Sequence, residues 1–174
     1  PLASVDVSGH RSGDPIPGAT TIALGEPHYV RTEQSWVEAG APTADLQLAT
    51  TATHFLVDVR MHSRHGIVVR ELPELNPLDN ELDDTNADGL QWYWRSDTSA
   101  SPDVGRIAAM GLHVPSGARR YCGQGRATSL AMDIMPSVTW RVIPDGWAMR
   151  LAWPLDQLPL GSARTLDFEL VINE

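Results

Sequence analysis

Hydrophobic and polar residues alternate with a period of two along most of the chain, and Gly, Pro, Asn and Asp residues separate the alternating segments. This period places successive side chains on opposite faces of a β-strand, and almost no segment keeps the period of a helix. The pattern predicts an all-β protein with about eleven strands, and the short turns between them favour an antiparallel β-sandwich. The predicted strands are Thr20–Leu24, His28–Trp36, Leu46–Ala49, Thr53–His62, Ile67–Leu72, Gly89–Arg95, Arg106–Val114, Thr128–Met135, Val138–Ile143, Gly146–Trp153 and Thr165–Asn173.

The clearest alternation lies in Thr53–Arg60. Its apolar side chains are expected to face the core, namely Phe55, Val57 and Val59. Its polar side chains are expected to face outward, namely His54, Asp58 and Arg60. Leu56 interrupts the polar face, which indicates that this face is partly covered.

Turn residues predict two β-hairpins. The first turn is Ser63–Gly66, with Gly66 at its left-handed position, and the second is Pro144–Gly146. Only Pro154–Leu158 has helical character, and it can hold at most one turn because Pro159 follows.

Length, hydropathy and charge limit the number of domains and the kinds of partner that we expect for this chain. The chain has 174 residues, which fits a single domain over residues 1–174. No apolar run approaches the roughly 18 residues that span a bilayer, so we expect no transmembrane segment. The net charge is −9, and the 13 basic residues are all arginine and are scattered along the chain. Because a nucleic-acid surface needs clustered cations, we expect no nucleic-acid partner.

Several kinds of chemistry have no residues to support them. The absence of lysine excludes Schiff-base catalysis, and the single cysteine, Cys122, excludes an intrachain disulfide and covalently attached haem. The chain also lacks Gly-x-Ser-x-Gly, His-Glu-x-x-His and any local Cys/His signature, so we expect no enzyme. The sequence begins at Pro1, without a methionine or an apolar signal core. We interpret this as a processed chain or a part of a larger protein.

The acidic half of Asn76–Arg95 begins like a calcium loop. Oxygen-bearing side chains occupy alternate positions before Gly89, which permits a sharp turn, but Arg95 stands where an EF-hand has its bidentate Glu. A full EF-hand is therefore excluded, and a partial site remains. The residues that we expect to bind structural calcium are Asp79, Asp84, Asn86 and Asp88. The alternative is that Asp and Asn here only form turns.

The aromatic half of the same segment predicts a strand with two different faces. Leu90, Trp92 and Trp94 share one face by the period of two, and we expect this face to be core. Trp140, Trp147 and Trp153 align with apolar neighbours in the same way. The residues expected to bind a ligand are Gln91, Tyr93, Arg95, Trp36, Tyr121 and Arg70, with Tyr29 and Arg150 as further surface candidates. Such aromatic and planar polar side chains suit a sugar.

A zinc site is a further alternative. His62 and His65 form His-x-x-His across a turn, with His54 and Asp58 upstream. A turn pair, however, supplies only two of the three or four ligands that zinc usually has. Solvated turn histidines are the preferred interpretation.

The order of segments in the last third resembles a known group of domains. A strand opens at Gly146 and ends at Trp153-Pro154, a short turn follows, and a closing strand finishes on Asn173-Glu174. Asp88–Tyr93 also looks like a central strand that usually reads Asp-x-apolar-Glu-apolar-Tyr, although Gln91 stands where Glu is common. Over residues 45–174 the chain therefore resembles the family 9 carbohydrate-binding modules and the wider DOMON-like group.

This resemblance implies a β-sandwich that binds sugars between aromatic rings. It also implies structural calcium in some members and, in others, haem that is bound without covalent attachment through a Met and a His. Five methionines keep this disfavoured option open: Met61, Met110, Met132, Met135 and Met149. We therefore expect a non-catalytic carbohydrate-binding module of an exported, extracytoplasmic protein, either periplasmic or secreted. The first alternative is a structural or interaction subunit that braces a larger protein assembly, either membrane-associated or not, through a protein partner. The second is a haem-binding electron-transfer domain.

Overall fold

The computed structural model describes residues 2, 4–30, 34–63, 88–95, 104–110, 118–122, 136–158 and 167–173. These residues form nine β-strands and one 3-10 helix, Glu26–His28. The strands are β1 (Thr20–Leu24), β2 (Thr43–Thr50), β3 (His54–His62), β4 (Gly89–Arg95), β5 (Val104–Met110), β6 (Ala118–Cys122), β7 (Ser137–Ile143), β8 (Gly146–Pro154) and β9 (Asp167–Asn173). The all-β prediction is confirmed, with nine strands in the described part of the chain instead of about eleven.

Most predicted strands agree with the structure. Thr20–Leu24 and Gly89–Arg95 have the bounds predicted for them, and Leu46–Ala49 extends at both ends to become β2. No strand was predicted at β6, because Ala118–Cys122 contains two adjacent arginines and shows no clear alternation. The predicted strands Ile67–Leu72 and Thr128–Met135, and the turn Ser63–Gly66 beyond its first residue, lie outside the described residues.

The predicted strand His28–Trp36 is wrong over its described residues. The backbone around Pro27 forms the 3-10 helix, in which the Tyr29 N–H donates to the Glu26 carbonyl at 3.1 Å. Farther along, the Ser35 N–H and Oγ both donate to Glu38 Oε2, at 2.8 and 2.7 Å. Such local side-chain bonds favour turns over strands because they satisfy backbone groups without a neighbouring strand.

The predicted helical turn at Pro154–Leu158 is also wrong. Pro154 is the last residue of β8, and residues 155–158 form a non-helical turn. The Leu155 N–H donates to the Thr53 carbonyl at 2.8 Å, so the chain remains tied to the start of β3 here. The helical residues lie instead at Glu26–His28.

The first compact unit, Pro1–Ile67 with Ser137–Leu155, contains a five-stranded antiparallel sheet in the order β1-β2-β3-β8-β7. We call it sheet A. One face of sheet A is apolar and almost fully buried along β3 and β8. Its buried side chains are Leu46, Leu48, Phe55, Val57, Val59, Met61, Trp147, Met149, Leu151 and Trp153. Burying an aliphatic or aromatic side chain of this size contributes about 1.5–3 kcal/mol to folding.

A tight hairpin joins β7 to β8 in sheet A, as predicted from the turn residues. Pro144 and Asp145 form the turn, and Ile143 pairs with Gly146. Gly146 has φ of 150°, and a Cβ at this position would collide with the Met61 carbonyl of β3. Glycine is therefore required both by the backbone conformation and by the close approach of β3.

The second compact unit, Val68–Pro136 with Asp156–Glu174, contains a four-stranded antiparallel sheet in the order β6-β5-β4-β9. We call it sheet B. Leu90 and Trp92 of β4 are buried, as predicted, and Trp92 stacks on Phe168 with ring centroids 4.7 Å apart. In sheet A, Trp147 and Trp153 are likewise buried, and the half-buried Trp140 stacks on Trp147 at 4.8 Å. These tryptophans therefore serve packing, as the sequence predicted.

Candidate functional site

Strand register brings four of the predicted ligand-binding residues to one face of sheet B. Gln91, Tyr93 and Arg95 alternate along β4 and therefore share a face. Tyr121 of β6 pairs with Arg106 of β5, which pairs in turn with Tyr93. Because directly paired residues of antiparallel strands lie on the same face, Tyr121 shares the face of Tyr93. The tyrosine row, as we call it, runs across all four strands as Tyr121, Arg106, Tyr93 and Glu169.

The neighbouring rows of this face supply further polar positions. Gln91 shares its row with Arg119, and Arg95 pairs with Asp167. Adjacent strands are about 4.8 Å apart, and residues two positions apart along a strand are about 6.7 Å apart. Tyr93 and Tyr121, two strands apart, are therefore placed about 10 Å from each other. The face combines two aromatic positions with planar polar ones over the dimensions of one or two sugar rings.

Sequence reasoning missed part of this face. Arg106 and Glu169 are in the tyrosine row, yet neither belonged to the predicted site. The sequence contained part of this information, because Glu169 alternates with Phe168 and Leu170 in the closing strand and so lies on the opposite face from them. The sequence did not show which strands are neighbours, because β4 and β9 are distant in the sequence but adjacent in the sheet. Glu169 is exposed and Tyr93 is half-buried.

Trp36 and Tyr29 belong to the other compact unit. The Trp36 indole Nε1 donates to the Pro42 carbonyl at 2.8 Å, within the turn that precedes β2. This bond uses the only donor of the indole and fixes the ring to its own loop. Tyr29 follows the 3-10 helix and is half-buried. Arg70 lies outside the described residues.

The calcium prediction is untested at three of its four residues. Asp79, Asp84 and Asn86 lie outside the described residues, whereas Asp88 immediately precedes β4 and is buried. Within the residues that the structure describes, no group of three His, Cys, Asp or Glu side chains is arranged to hold a metal ion. The calcium loop therefore stays a prediction.

A buried ion pair lies on the polar face of sheet A. Asp58 of β3 was predicted to face outward, but its side chain is fully buried, and Arg150 Nε of β8 donates to its Oδ2 at 2.5 Å. The surface role suggested for Arg150 is therefore wrong, because its side chain is only 10% exposed. Burial raises the pKa of the Asp58 carboxyl, while the Arg150 charge and the Gly13 N–H partly oppose this shift.

Residues 10–16, which we call the N-terminal strap, cover this polar face. Arg150 donates to the His10 and Arg11 carbonyls at 3.0 and 2.9 Å, and the Gly13 N–H donates to Asp58 Oδ1 at 2.7 Å. The cover that Leu56 indicated is therefore confirmed, and Leu56 itself is buried. Asp58 and Arg150 bind the protein's own backbone, which leaves them no role at a ligand surface.

Two more side chains of sheet A hold the same strap. Gln47 of β2 accepts from the Ile16 N–H at 2.7 Å and donates to the Asp14 carbonyl at 3.1 Å. Arg141 of β7 donates to the Ser12 carbonyl at 2.5 Å and to Asp14 Oδ1 at 2.6 Å. Because planar polar side chains of the sheet bind these backbone groups, an irregular segment can be held against sheet A here.

His62 at the end of β3 bridges two carboxylates. Its Nδ1 lies 2.6 Å from Asp145 Oδ2, and its Nε2 lies 3.4 Å from Asp45 Oδ2. The His62 hydrogen bond lowers the pKa of the Asp145 carboxyl, helped by the His62 and Arg60 charges. The two carboxylates approach opposite ring nitrogens, so they do not converge on one cation position. His54, at the far end of β3, is about 26 Å away along the strand.

Comparison with known proteins adds no family assignment. No protein-family model matches the sequence, and a search of curated proteins found no significant match. No helix within the described residues has the length and apolar character required to cross a membrane.

Proposed function

We propose that the chain is a non-catalytic carbohydrate-binding module and that sugars bind to the face of sheet B that carries the tyrosine row. The observation that supports this proposal is the register, which gives Gln91, Tyr93, Arg95 and Tyr121 a common face. Tyrosine rings present flat apolar surfaces to the C–H face of a sugar, and guanidinium and amide groups bridge its hydroxyls. The other face of β4 is occupied by packing residues such as Trp92.

The arrangement favours extended ligands over single sugars. An aromatic contact contributes only about 0.5–1.5 kcal/mol beyond its buried area, so one stacked ring gives weak binding. Two tyrosine positions about 10 Å apart can engage the first and the third residue of one oligosaccharide. We therefore expect affinity to rise from monosaccharide to trisaccharide and then to level off.

The remaining parts of the proposal follow from the resemblance. The module would be a single DOMON-like β-sandwich of an extracytoplasmic protein, with structural calcium bound near Asp79, Asp84, Asn86 and Asp88. Asp88 immediately precedes β4, so an ion there would fix the loop that leads into the ligand face. Calcium would then act by ordering the face rather than by contacting the sugar.

Calorimetric titration of the purified chain with neutral and acidic oligosaccharides, with and without calcium, tests the proposal. Tyr93→Ala is expected to weaken binding at least tenfold. Tyr29→Ala is the matched control, because it removes another half-buried tyrosine from the other compact unit and should leave affinity unchanged. Absence of binding to every oligosaccharide, or equal binding by the wild type and Tyr93→Ala, would overturn the proposal.

A second candidate function is an interaction subunit of a larger assembly. It is favoured by exposed apolar side chains in the segment before β2, where Val30 is 94% exposed and Val37 is 70% exposed. If no sugar binds, a protein partner lost on Val30→Asp/Val37→Asp substitution would support this candidate. The haem alternative predicts a Soret absorbance after reconstitution with haem, and its absence would remove that alternative.

A further inference from the structure

In the part of the chain that the structure describes, β1 is an edge strand of sheet A. Among the described residues it pairs only with β2, and four of its five residues are exposed. Ile22, in the middle of the strand, is 38% exposed. An edge strand presents a row of backbone N–H and C=O groups that can pair with another strand.

The sequence of β1 lacks the features that normally prevent such pairing. It reads Thr-Thr-Ile-Ala-Leu, without a charge, a proline or a glycine. The opposite edge of sheet A is β7, which carries Arg141, and this side chain is bound to the Ser12 carbonyl and Asp14 of the strap. A charged residue on an edge strand opposes association, so the two edges of sheet A are not equivalent.

We propose that β1 is a self-association site, at which it pairs antiparallel with β1 of a second copy of this chain. Ile22 would lie opposite the partner's Ile22, on a two-fold axis, and Thr20 would lie opposite the partner's Leu24. The outward N–H and C=O groups of an antiparallel strand belong to alternate residues. The outward groups of β1 therefore belong either to Thr20, Ile22 and Leu24 or to Thr21 and Ala23. Both sets are symmetric about Ile22, so a pairing centred on Ile22 places donors opposite acceptors in either case.

The side chains also favour this register. Ile22 ends a row that runs across sheet A through Leu46, Val59 and Met149, all of which are buried. Pairing at Ile22 extends this row into the partner, so the exposed part of Ile22 is covered by an identical side chain. Closed two-fold association requires such a self-complementary surface.

The expected association is weak and depends on salt. A five-residue edge buries less than the roughly 1,200–2,000 Å² of a stable interface, so we expect dimers only at high protein concentration. Each copy carries a net charge of −9, so the copies repel each other at low ionic strength. Salt screens this repulsion, because the Debye length falls to about 3 Å at 1 M, and should therefore strengthen the dimer.

Sedimentation equilibrium over about 10–1,000 µM protein, at low and high salt, measures the association. The wild type should dimerise more strongly at high salt, and Ile22→Lys should weaken dimerisation at least tenfold. Val142→Lys is the matched control, because Val142 is 54% exposed on the same face at the β7 edge, and it should behave as the wild type. A wild type that stays monomeric under all conditions, or dimerisation that is lost only in Val142→Lys, would overturn the proposal.

Disulfide trapping tests the register itself. Opposed residues of antiparallel strands have Cα atoms about 4.5 or 5.5 Å apart, and both values are compatible with a disulfide. In a Cys122→Ser background, Ile22→Cys should form a covalent dimer under mild oxidation, whereas Val142→Cys should not. Ile22→Cys introduces a small apolar side chain, so this variant should fold and can still test β1 pairing if Ile22→Lys fails to fold. Equal trapping of the two variants would contradict β1 pairing.

Discussion

Arg150 Nε donates to Asp58 Oδ2 at 2.5 Å across adjacent strands β8 and β3, and the same guanidinium holds the His10 and Arg11 carbonyls of the N-terminal strap. This pair therefore connects two central strands of sheet A to a segment that has no regular structure of its own. A buried ion pair is costly to desolvate, and removing one partner leaves the other charge without compensation. The strap and the sheet should thus depend on the same interaction.

We expect Arg150→Met to lower the free energy of unfolding by about 3–5 kcal/mol, because Asp58 is left buried and unpaired. Urea denaturation followed by tryptophan fluorescence measures the loss. Arg60→Met is the matched control on the same face of β3, since its side chain is 39% exposed, and it should cost at most about 1 kcal/mol. Equal losses for the two variants would show that Arg150 acts only as a surface charge.

The pKa of Asp58 gives a second prediction, with a definite sign. Burial raises this pKa above its usual value of 3.8, so the folded state holds a proton more tightly than the unfolded state does. The stability contributed by Asp58 is therefore present at low pH and declines as pH rises from 3.8 through the folded pKa. Carbon-detected NMR of the Asp58 carboxyl should give a titration midpoint above 3.8. A midpoint below this value would mean that Arg150 and Gly13 outweigh burial.

The apolar face of sheet A was predictable because period-two alternation decides which side of a strand faces the core. Phe55, Val57 and Val59 are buried as predicted. Asp58 was not predictable in the same way, because the residues that cover it lie far away in the sequence, in the strap. The alternation within a single strand shows which residues share a face, but it does not show which residues cover that face.

The candidate site was likewise predictable within one strand but not across neighbouring strands. The shared face of Gln91, Tyr93 and Arg95 was predicted from β4 alone, whereas the addition of Tyr121 required the pairing order β6-β5-β4. Trp36 was assigned to a strand, but hydrogen bonds between Ser35 and Glu38 form a turn there. Local side-chain bonds of this kind compete with strand pairing, and the alternation pattern carries no information about them.

The His62 bridge predicts the acid sensitivity of sheet A. Its hydrogen bond lowers the pKa of Asp145 below the usual 3.8, so the stability from Asp145 is present above 3.8 and is lost as pH falls through the folded pKa. Asp145→Asn should therefore flatten the dependence of unfolding free energy on pH below about 4. His62→Ala should remove most of this dependence, because the Arg60 charge still lowers the pKa of Asp145, and the double variant should remove no more than Asp145→Asn alone. Additive effects in the double variant would show that the two side chains act independently.

Gly146 provides a prediction about the β7–β8 hairpin, because two effects oppose any side chain there. Its φ is 150°, and a Cβ would collide with the Met61 carbonyl of β3, whereas Gly9 has a positive φ of 80° with open space around it. Gly9→Ala should cost about 1 kcal/mol, from backbone strain alone. Gly146→Ala should cost at least about 3 kcal/mol, because β3 and β8 must also separate. Thermal unfolding of both variants measures the difference, and equal melting temperatures would mean that the hairpin moves away from β3 without a significant loss of stability.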